Sequence, residues 1–319
     1  MSRYALTVTL DDGRFERLFW DALRLSATIV GPLGARALAA LALRVVSRSE
    51  RGYTKTIYRV ARHTSSQSPD LVHLPEHWSS ASPLVRVRRL GLSLDLDLRD
   101  NLQRVLYYAG TYEPDVIRFI ELELRRGDLF VDIGAHIGVH ALSAARRLRE
   151  LGGGQVIAFE PAHDSATKIR RAAARNHLDV TVVETALSDA PGTAELRTDP
   201  DYGLDDAGVR SQYGSGEVVQ QISLKPFDAW ADEVGLPRLD LVKIDVEGAE
   251  PRVFEGMRRS LARLRPRALV VELKATTLER AGTDGSALRQ LLHDCGYEPF
   301  GKPLLFHNQV FRRSQSGPS

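Results

Sequence analysis

Five short apolar runs set the frame of the chain: Leu129-Phe-Val-Asp, Val156-Ile-Ala-Phe-Glu, Val180-Thr-Val-Val-Glu, Leu239-Asp-Leu-Val-Lys-Ile-Asp and Ala268-Leu-Val-Val-Glu. Near-continuous apolar runs of this length are what strands buried on both faces look like. Amphipathic helices fit between most of them, and such strand-helix alternation predicts an α/β fold with a parallel, doubly wound sheet. Three runs end on an acid at the carboxyl edge, Asp132, Glu160 and Asp245, and Glu272 sits just past the fifth. In open α/β sheets that edge is where ligands bind.

Upstream the pattern differs. Leu84-Val-Arg-Val-Arg-Arg and Leu92-Ser-Leu-Asp-Leu-Asp-Leu alternate apolar with polar residues around Leu90-Gly91 and predict a β-hairpin. A helix is expected from Pro114 to Arg125, with proline in its first turn. Earlier still, Phe15, Leu18, Phe19, Ala22, Leu23 and Leu25 recur at helical spacing, and the Ala/Leu-rich stretch from Leu33 to Val46 predicts further helices. Residues 64–83 hold three prolines and seven serines or threonines without periodicity, as a linker does. The chain thus divides into a helical N-terminal extension and linker over 1–85 and a larger domain over 86–319. In the extension, Arg44, Arg48, Arg51, Lys55, Arg59 and Arg62 share one helical face; a solvated face is the preferred reading over docking to an anionic partner.

Charge and composition narrow the function classes. With 43 Lys and Arg against 41 Asp and Glu, the chain lacks the basic excess of a nucleic-acid binder. The most apolar stretch, Ala27 to Val46, is interrupted by Pro32 and Arg36 and does not predict a transmembrane segment. A single cysteine, Cys295, rules out a disulfide framework within the chain and, with no secretory signal pattern, the expectation is a cytoplasmic protein. Two apolar faces in the N-terminal helices need cover, which predicts a homodimer interface there.

The candidate chemistry starts at Phe130-Val-Asp-Ile-Gly-Ala-His-Ile-Gly138, which runs from strand through turn to helix. Gly134 and Gly138 stand where a backbone approaches a ligand, yet neither the G-x-G-x-x-G dinucleotide spacing nor a P-loop is present. Glu160, ending the next strand, is placed to read a ribose diol, since a carboxylate accepts two hydroxyl hydrogen bonds; a helix N-terminal cap is its plain alternative. Together these residues point to an adenosine-bearing ligand without a pyrophosphate.

Several segments resemble the FkbM-type methyltransferases, which use S-adenosylmethionine: Gly91-Leu-Ser-Leu-Asp-Leu, Gly110-Thr-Tyr-Glu-Pro114, Val131-Asp-Ile-Gly-Ala-His-Ile-Gly138, Phe159-Glu-Pro161, Ala186-Leu-Ser-Asp189, Lys243-Ile-Asp-Val-Glu-Gly-Ala-Glu250 and Val271-Glu272. The resemblance covers roughly residues 86 to 312 and implies a Rossmann-like class I methyltransferase sheet. It implies that Asp132, Gly134 and Gly138 hold the methionine end of the cofactor, Glu160 the ribose, and Leu187 and Ser188 the border of the adenine. Tyr112 and Glu113 would close over the cofactor, with Tyr108 nearby and Asp245 at the methyl end. His136 departs from the family, which more often has asparagine there.

Methyl transfer to a hydroxyl is an in-line displacement that needs the acceptor proton removed. Asp245 and Glu247 after the fourth strand and Glu272 after the fifth are expected to converge near the methyl group. Asp245 or Glu272 acting as base is preferred; a divalent cation such as Mg²⁺ shared by the two is the alternative. His307 is a second candidate base, Lys243 and Lys274 are placed to orient carboxylates, and for Glu250 a structural role is preferred. The acidic irregular stretch from Thr198 to Gly216 suits a lid that would favour a cationic acceptor.

The sequence therefore predicts an O-methyltransferase acting on a sugar, aminocyclitol or polyketide-type hydroxyl. Thirty-seven arginines against six lysines match a GC-rich genome and fit natural-product or antibiotic biosynthesis. N-methylation of an amino sugar is the nearest alternative. A non-catalytic scaffold using the basic helix is the alternative of another class.

Overall fold

The computed structural model describes residues 84–198, 210–304 and 307–314, apart from 98–99, 101, 104–105 and 108–109. The N-terminal helices, their basic face, the linker, Tyr108 and most of the expected lid lie outside these residues.

The hairpin forms as expected from β1 (Leu84–Arg89) and β2 (Leu92–Asp97). There follow α1 (Pro114–Glu123), β3 (Leu129–Ile133), α2 (Val139–Glu150), β4 (Gln155–Phe159), α3 (His163–Arg175), β5 (Thr181–Val183), β6 (Ala186–Leu187), β7 (Gly192–Thr198), β8 (Arg210–Ser211) and β9 (Val218–Lys225). The chain continues through α4 (Phe227–Glu233), β10 (Leu241–Ile244), α5 (Glu250–Glu255), α6 (Arg258–Leu264), β11 (Ala268–Glu272), α7 (Ala275–Arg280), α8 (Gly285–Asp294), β12 (Tyr297–Phe300) and β13 (Asn308–Arg313).

The five apolar runs become β3, β4, β5, β10 and β11, adjacent and parallel in a seven-stranded sheet of order β12-β13-β11-β10-β3-β4-β5. This is the expected α/β sheet. β13 runs antiparallel between β11 and β12. The strand order reverses beside β3, with β4 on one side and β10 on the other, and this places a crevice at the carboxyl ends of those strands. A second sheet, of order β6-β9-β7-β8, was not foreseen: its strands mix polar and apolar residues and half-expose them.

The core explains the apolar runs. Leu129, Val131, Ile133, Val242, Ile244, Leu269 and Val271 are buried with Phe159, Phe227 and Trp230, whose rings meet at centroid distances of 4.9–5.9 Å. Each such side chain contributes about 1.5–3 kcal/mol on burial. The hairpin buries Leu92, Leu94 and Leu96. It is fastened to the end of α3 by the Asn176 amide, which accepts from the Ser93 N–H at 2.8 Å and donates to the Ser93 carbonyl at 2.9 Å.

At the sheet edge opposite the crevice, cations and acids neutralise each other. Arg267 pairs with Glu123, Asp128 and Asp240, Arg238 with Asp240 and Asp128, and Arg312 with Glu123. Asp240 also accepts the Leu129 N–H at 2.8 Å, so the network clamps the starts of β3, β10 and β11.

Candidate active site

The turn from β3 to α2 sits at the switch point. Gly134 and Gly138 both take positive φ, +83° and +80°. A side chain on Gly134 would overlap the Asp245 carbonyl, and one on Gly138 would meet Ile169 at 3.0 Å. Both glycines are thus demanded by the packing of the turn on its own protein neighbours. The Gly134 and Ala135 amides both donate to the Phe159 carbonyl at 3.0 Å, which fixes the turn against β4.

Glu160 holds this turn from the other side. Its carboxylate accepts the His136 N–H at 2.7 Å and the Ala162 N–H at 2.9 Å. It therefore joins two strand-to-helix turns. Two amide bonds do not exhaust a carboxylate, which accepts about four.

The His136 ring is 3.3 Å from the buried Asp100 carboxylate. Burial pulls the His136 pKa down, but Asp100 outweighs it and holds it above the ordinary histidine value. Burial likewise opposes the Asp100 charge, and the His136 cation prevails, bringing Asp100 to about 2. Sequence reasoning missed Asp100: 36 positions separate the partners and no motif contains it. Asp100 also accepts the Gln103 N–H at 3.0 Å.

Beneath the turn lies a buried charge cluster. Lys243, in the middle of β10, is 1% exposed and donates from Nζ to Asp245 Oδ2 at 2.8 Å. Burial disfavours its charge, but Asp245, Asp132 and Glu113 together raise its pKa. Asp132 is fully buried, and neither carboxylate oxygen makes a well-formed hydrogen bond. Burial drives its pKa up against the pull of Lys243 and His140. Asp245 goes the other way: burial opposes its charge, yet Lys243 holds it below the usual carboxylate range.

Glu113, in left-handed backbone at the start of α1, accepts from Asn308 Nδ2 at 2.8 Å and faces His140 Nε2 at 3.2 Å. The Tyr112 ring meets the His140 ring edge-on, with centroids 6.4 Å apart. Tyr112 and Glu113 therefore gather at the crevice through α2 and β13, and His140 and Asn308 are the partners that organise them.

At the carboxyl ends of β10 and β11, oxygens of Asp245, Glu247 and Glu272 lie within 4.8 Å of one another. The expected convergence of β10 and β11 carboxylates is present. Glu272 is buried, and burial together with Asp245, Glu247 and Glu250 raises its pKa well above the usual range. Lys274 lies 3.5 Å from Glu247 and also pulls against the raised Glu272 pKa, as expected of a lysine that orients these carboxylates. Glu250 takes the structural role preferred for it: it accepts the Val246 and Gly248 N–H groups, and burial lifts it to about 7.

Other expected residues fall further out. Leu187 and Ser188 are buried where β6 ends, with the Ser188 hydroxyl donating to Asp189 at 2.9 Å. His307 is exposed in left-handed backbone, and its carbonyl accepts the Leu273 N–H. Ser211 ends β8 and Gln212 and Tyr213 follow it, at the far end of the expected lid. The Ser211 hydroxyl donates to the Glu247 carbonyl at 3.1 Å, and the Tyr213 ring stands beside Gly248. No helix among the described residues is long and apolar enough to cross a membrane.

Comparison with known proteins matches residues 132–299, more than half of the chain, to the methyltransferase FkbM domain. The hexuronic acid methyltransferase AglP of Haloferax volcanii is 27% identical over 182 residues, 57% of this chain and 68% of that protein. The 31-O-demethyl-FK506 methyltransferase FkbM of Streptomyces tacrolimicus is 30% identical over 164 residues, 43% of this chain and 62% of that protein. A crystal structure of methyltransferase FkbM from Methylobacillus flagellatus covers 69% of this chain and 56% of its own, at 14% identity and a TM-score of 0.38. The chain thus spans less than two thirds of the Streptomyces relative and of the crystallised protein.

Proposed function

The chain belongs to the FkbM methyltransferase family, and from that premise we propose that it transfers a methyl group from S-adenosylmethionine to a hydroxyl of a small sugar- or polyketide-type acceptor. The observation that carries the reading is the pairing, at one switch point, of a ligand-facing turn held by Glu160 with a carboxylate cluster on the neighbouring strands. The activities named for the two relatives, on a hexuronic acid and on 31-O-demethyl-FK506, support the acceptor class.

The residues fit the cofactor. Asp132 is a buried carboxylate without well-formed hydrogen bonds, which suits the ammonium of the methionine end. Glu160 suits the ribose hydroxyls, Leu187 and Ser188 the adenine, and Tyr112 and Glu113 the cover over the crevice. When bound, S-adenosylmethionine supplies a methyl group on a sulfonium, whose leaving group needs no acid. The work left to this chain is therefore positioning and proton removal.

Lys243 keeps Asp245 ionised beside the turn, where it aligns the acceptor. Removal of the acceptor proton falls to the acidic cluster of Asp245, which is partly exposed, and Glu272, which is buried. His307 would lie at the rim of this site.

Calorimetric titration with S-adenosylhomocysteine tests the proposal before any acceptor is known. Micromolar binding by the wild type, weakened at least about tenfold in Glu160→Ala, is the expected result. Absence of binding by the folded wild-type chain overturns it. A methyl-dependent mass increase on screened hydroxyl acceptors then identifies the substrate.

A further inference from the structure

The carboxylate cluster offers more than a proton acceptor. Asp245 follows β10, Glu247 sits in the left-handed turn before α5, and Glu272 closes β11, yet their oxygens come within 4.8 Å of one another. Carboxylates placed so close repel, and a cation between them relieves that repulsion. Lys243 and Lys274 flank the cluster, with Lys243 at 2.8 Å from Asp245 and Lys274 at 3.5 Å from Glu247. Glu272 is different. It is 7% exposed, and its Oε2 is buried with no hydrogen-bond partner among the described residues. A buried carboxylate oxygen without a partner is costly, by about 1–3 kcal/mol or more for a charged group, and calls for a ligand.

We infer that Asp245, Glu247 and Glu272 form a binding site for a divalent cation at the acceptor end of the crevice. All three donors are hard oxygens, and there is no histidine or cysteine in the set, which selects Mg²⁺ or Mn²⁺ over zinc. Three protein ligands leave coordination positions open, since these ions take about six. The site specifies an acceptor class. A cation with adjacent open positions favours a hydroxyl flanked by a second oxygen, such as a vicinal diol or a hydroxy acid, because the two oxygens chelate. This consequence for the acceptor rests on the methyl-transfer reading; the cation site itself does not.

The test uses the full chain stripped with a chelator and titrated with Mn²⁺, free ion being read by electron paramagnetic resonance. About one Mn²⁺ per chain is expected, displaced by Mg²⁺, with affinity weakened at least about tenfold in Glu272→Gln and in Glu247→Gln and unchanged in the surface variant Glu255→Gln. Should Glu272→Gln fail to fold, the half-buried Glu247→Gln carries the comparison. No stoichiometric binding up to millimolar Mn²⁺, or binding that the folded Glu247→Gln retains in full, overturns the inference. Calorimetry with S-adenosylhomocysteine on the same samples separates the two readings. Cofactor binding without Mn²⁺ binding sinks the cation site alone, whereas loss of both in a folded wild type sinks the methyl-transfer reading as well.

Discussion

Replacing Lys243 by methionine tests the buried charge cluster most directly. The side chain is 2% exposed and its partner Asp245 20% exposed, so Lys243→Met leaves Asp245 and Asp132 facing each other without their cation. Removing one member of a buried pair costs about 3–5 kcal/mol. The partial exposure of Asp245 puts the expected loss near 3 kcal/mol, a large share of a typical stability of about 5–15 kcal/mol. Urea denaturation followed by circular dichroism, from pH 5 to 8, measures it. The sign with pH follows from the shifts. The raised Lys243 contributes fully below its unfolded value of about 10.4, and is lost only as pH climbs through its folded value. The depressed Asp245 contributes above about 3.9 and is lost as pH falls through its lower folded value. Wild-type stability from this pair is therefore flat across the window. In Lys243→Met, burial drives Asp245 and Asp132 toward protonation, so the penalty is greatest at pH 8 and shrinks toward pH 5. Adding Asp245→Asn should restore about 1–2 kcal/mol. A penalty below about 1 kcal/mol, or no recovery in the double variant, refutes the reasoning.

Gly134→Ala should destabilise by about 3 kcal/mol or more, because φ is +83° and the new methyl group overlaps the Asp245 carbonyl; a melting temperature within about 2 °C of wild type would contradict this. Since His136 has a raised pKa, its bond to Asp100 stabilises fully below the unfolded value of about 6.5 and is lost as pH rises through the folded value. Stability should therefore fall in that window for wild type but not for Asp100→Asn, as thermal melts from pH 5 to 9 would report.

The sheet was legible because its central strands β3, β10 and β11 are buried throughout and mostly apolar, and β3, β4, β5, β10 and β11 fall where the apolar runs lie. The glycine turn, Glu160 and the Asp245–Glu272 convergence were legible for a related reason: each stands within a few residues of a strand end, so strand placement fixes its neighbourhood. The smaller sheet was not, since β7 and β9 expose half their residues and carry no clean alternation. Asp100 with His136 and Asn308 with Glu113 join residues 36 and 195 positions apart, and such pairings are created by topology alone. The sequence did not show that the two glycines are also required by packing, since Asp245 and Ile169 occupy the space a side chain would need.

The antiparallel β13 has a bearing on how the protein is made. It enters between β11 and β12 after every other strand of the large sheet has been synthesised, and its first residue supplies the amide that holds Glu113. A chain emerging from the ribosome therefore carries the glycine turn and the acidic strand ends long before the crevice is finished. Until residue 308 is free to insert, β11 and β12 present open edges to one another, the state in which a nascent chain is most exposed to mispairing.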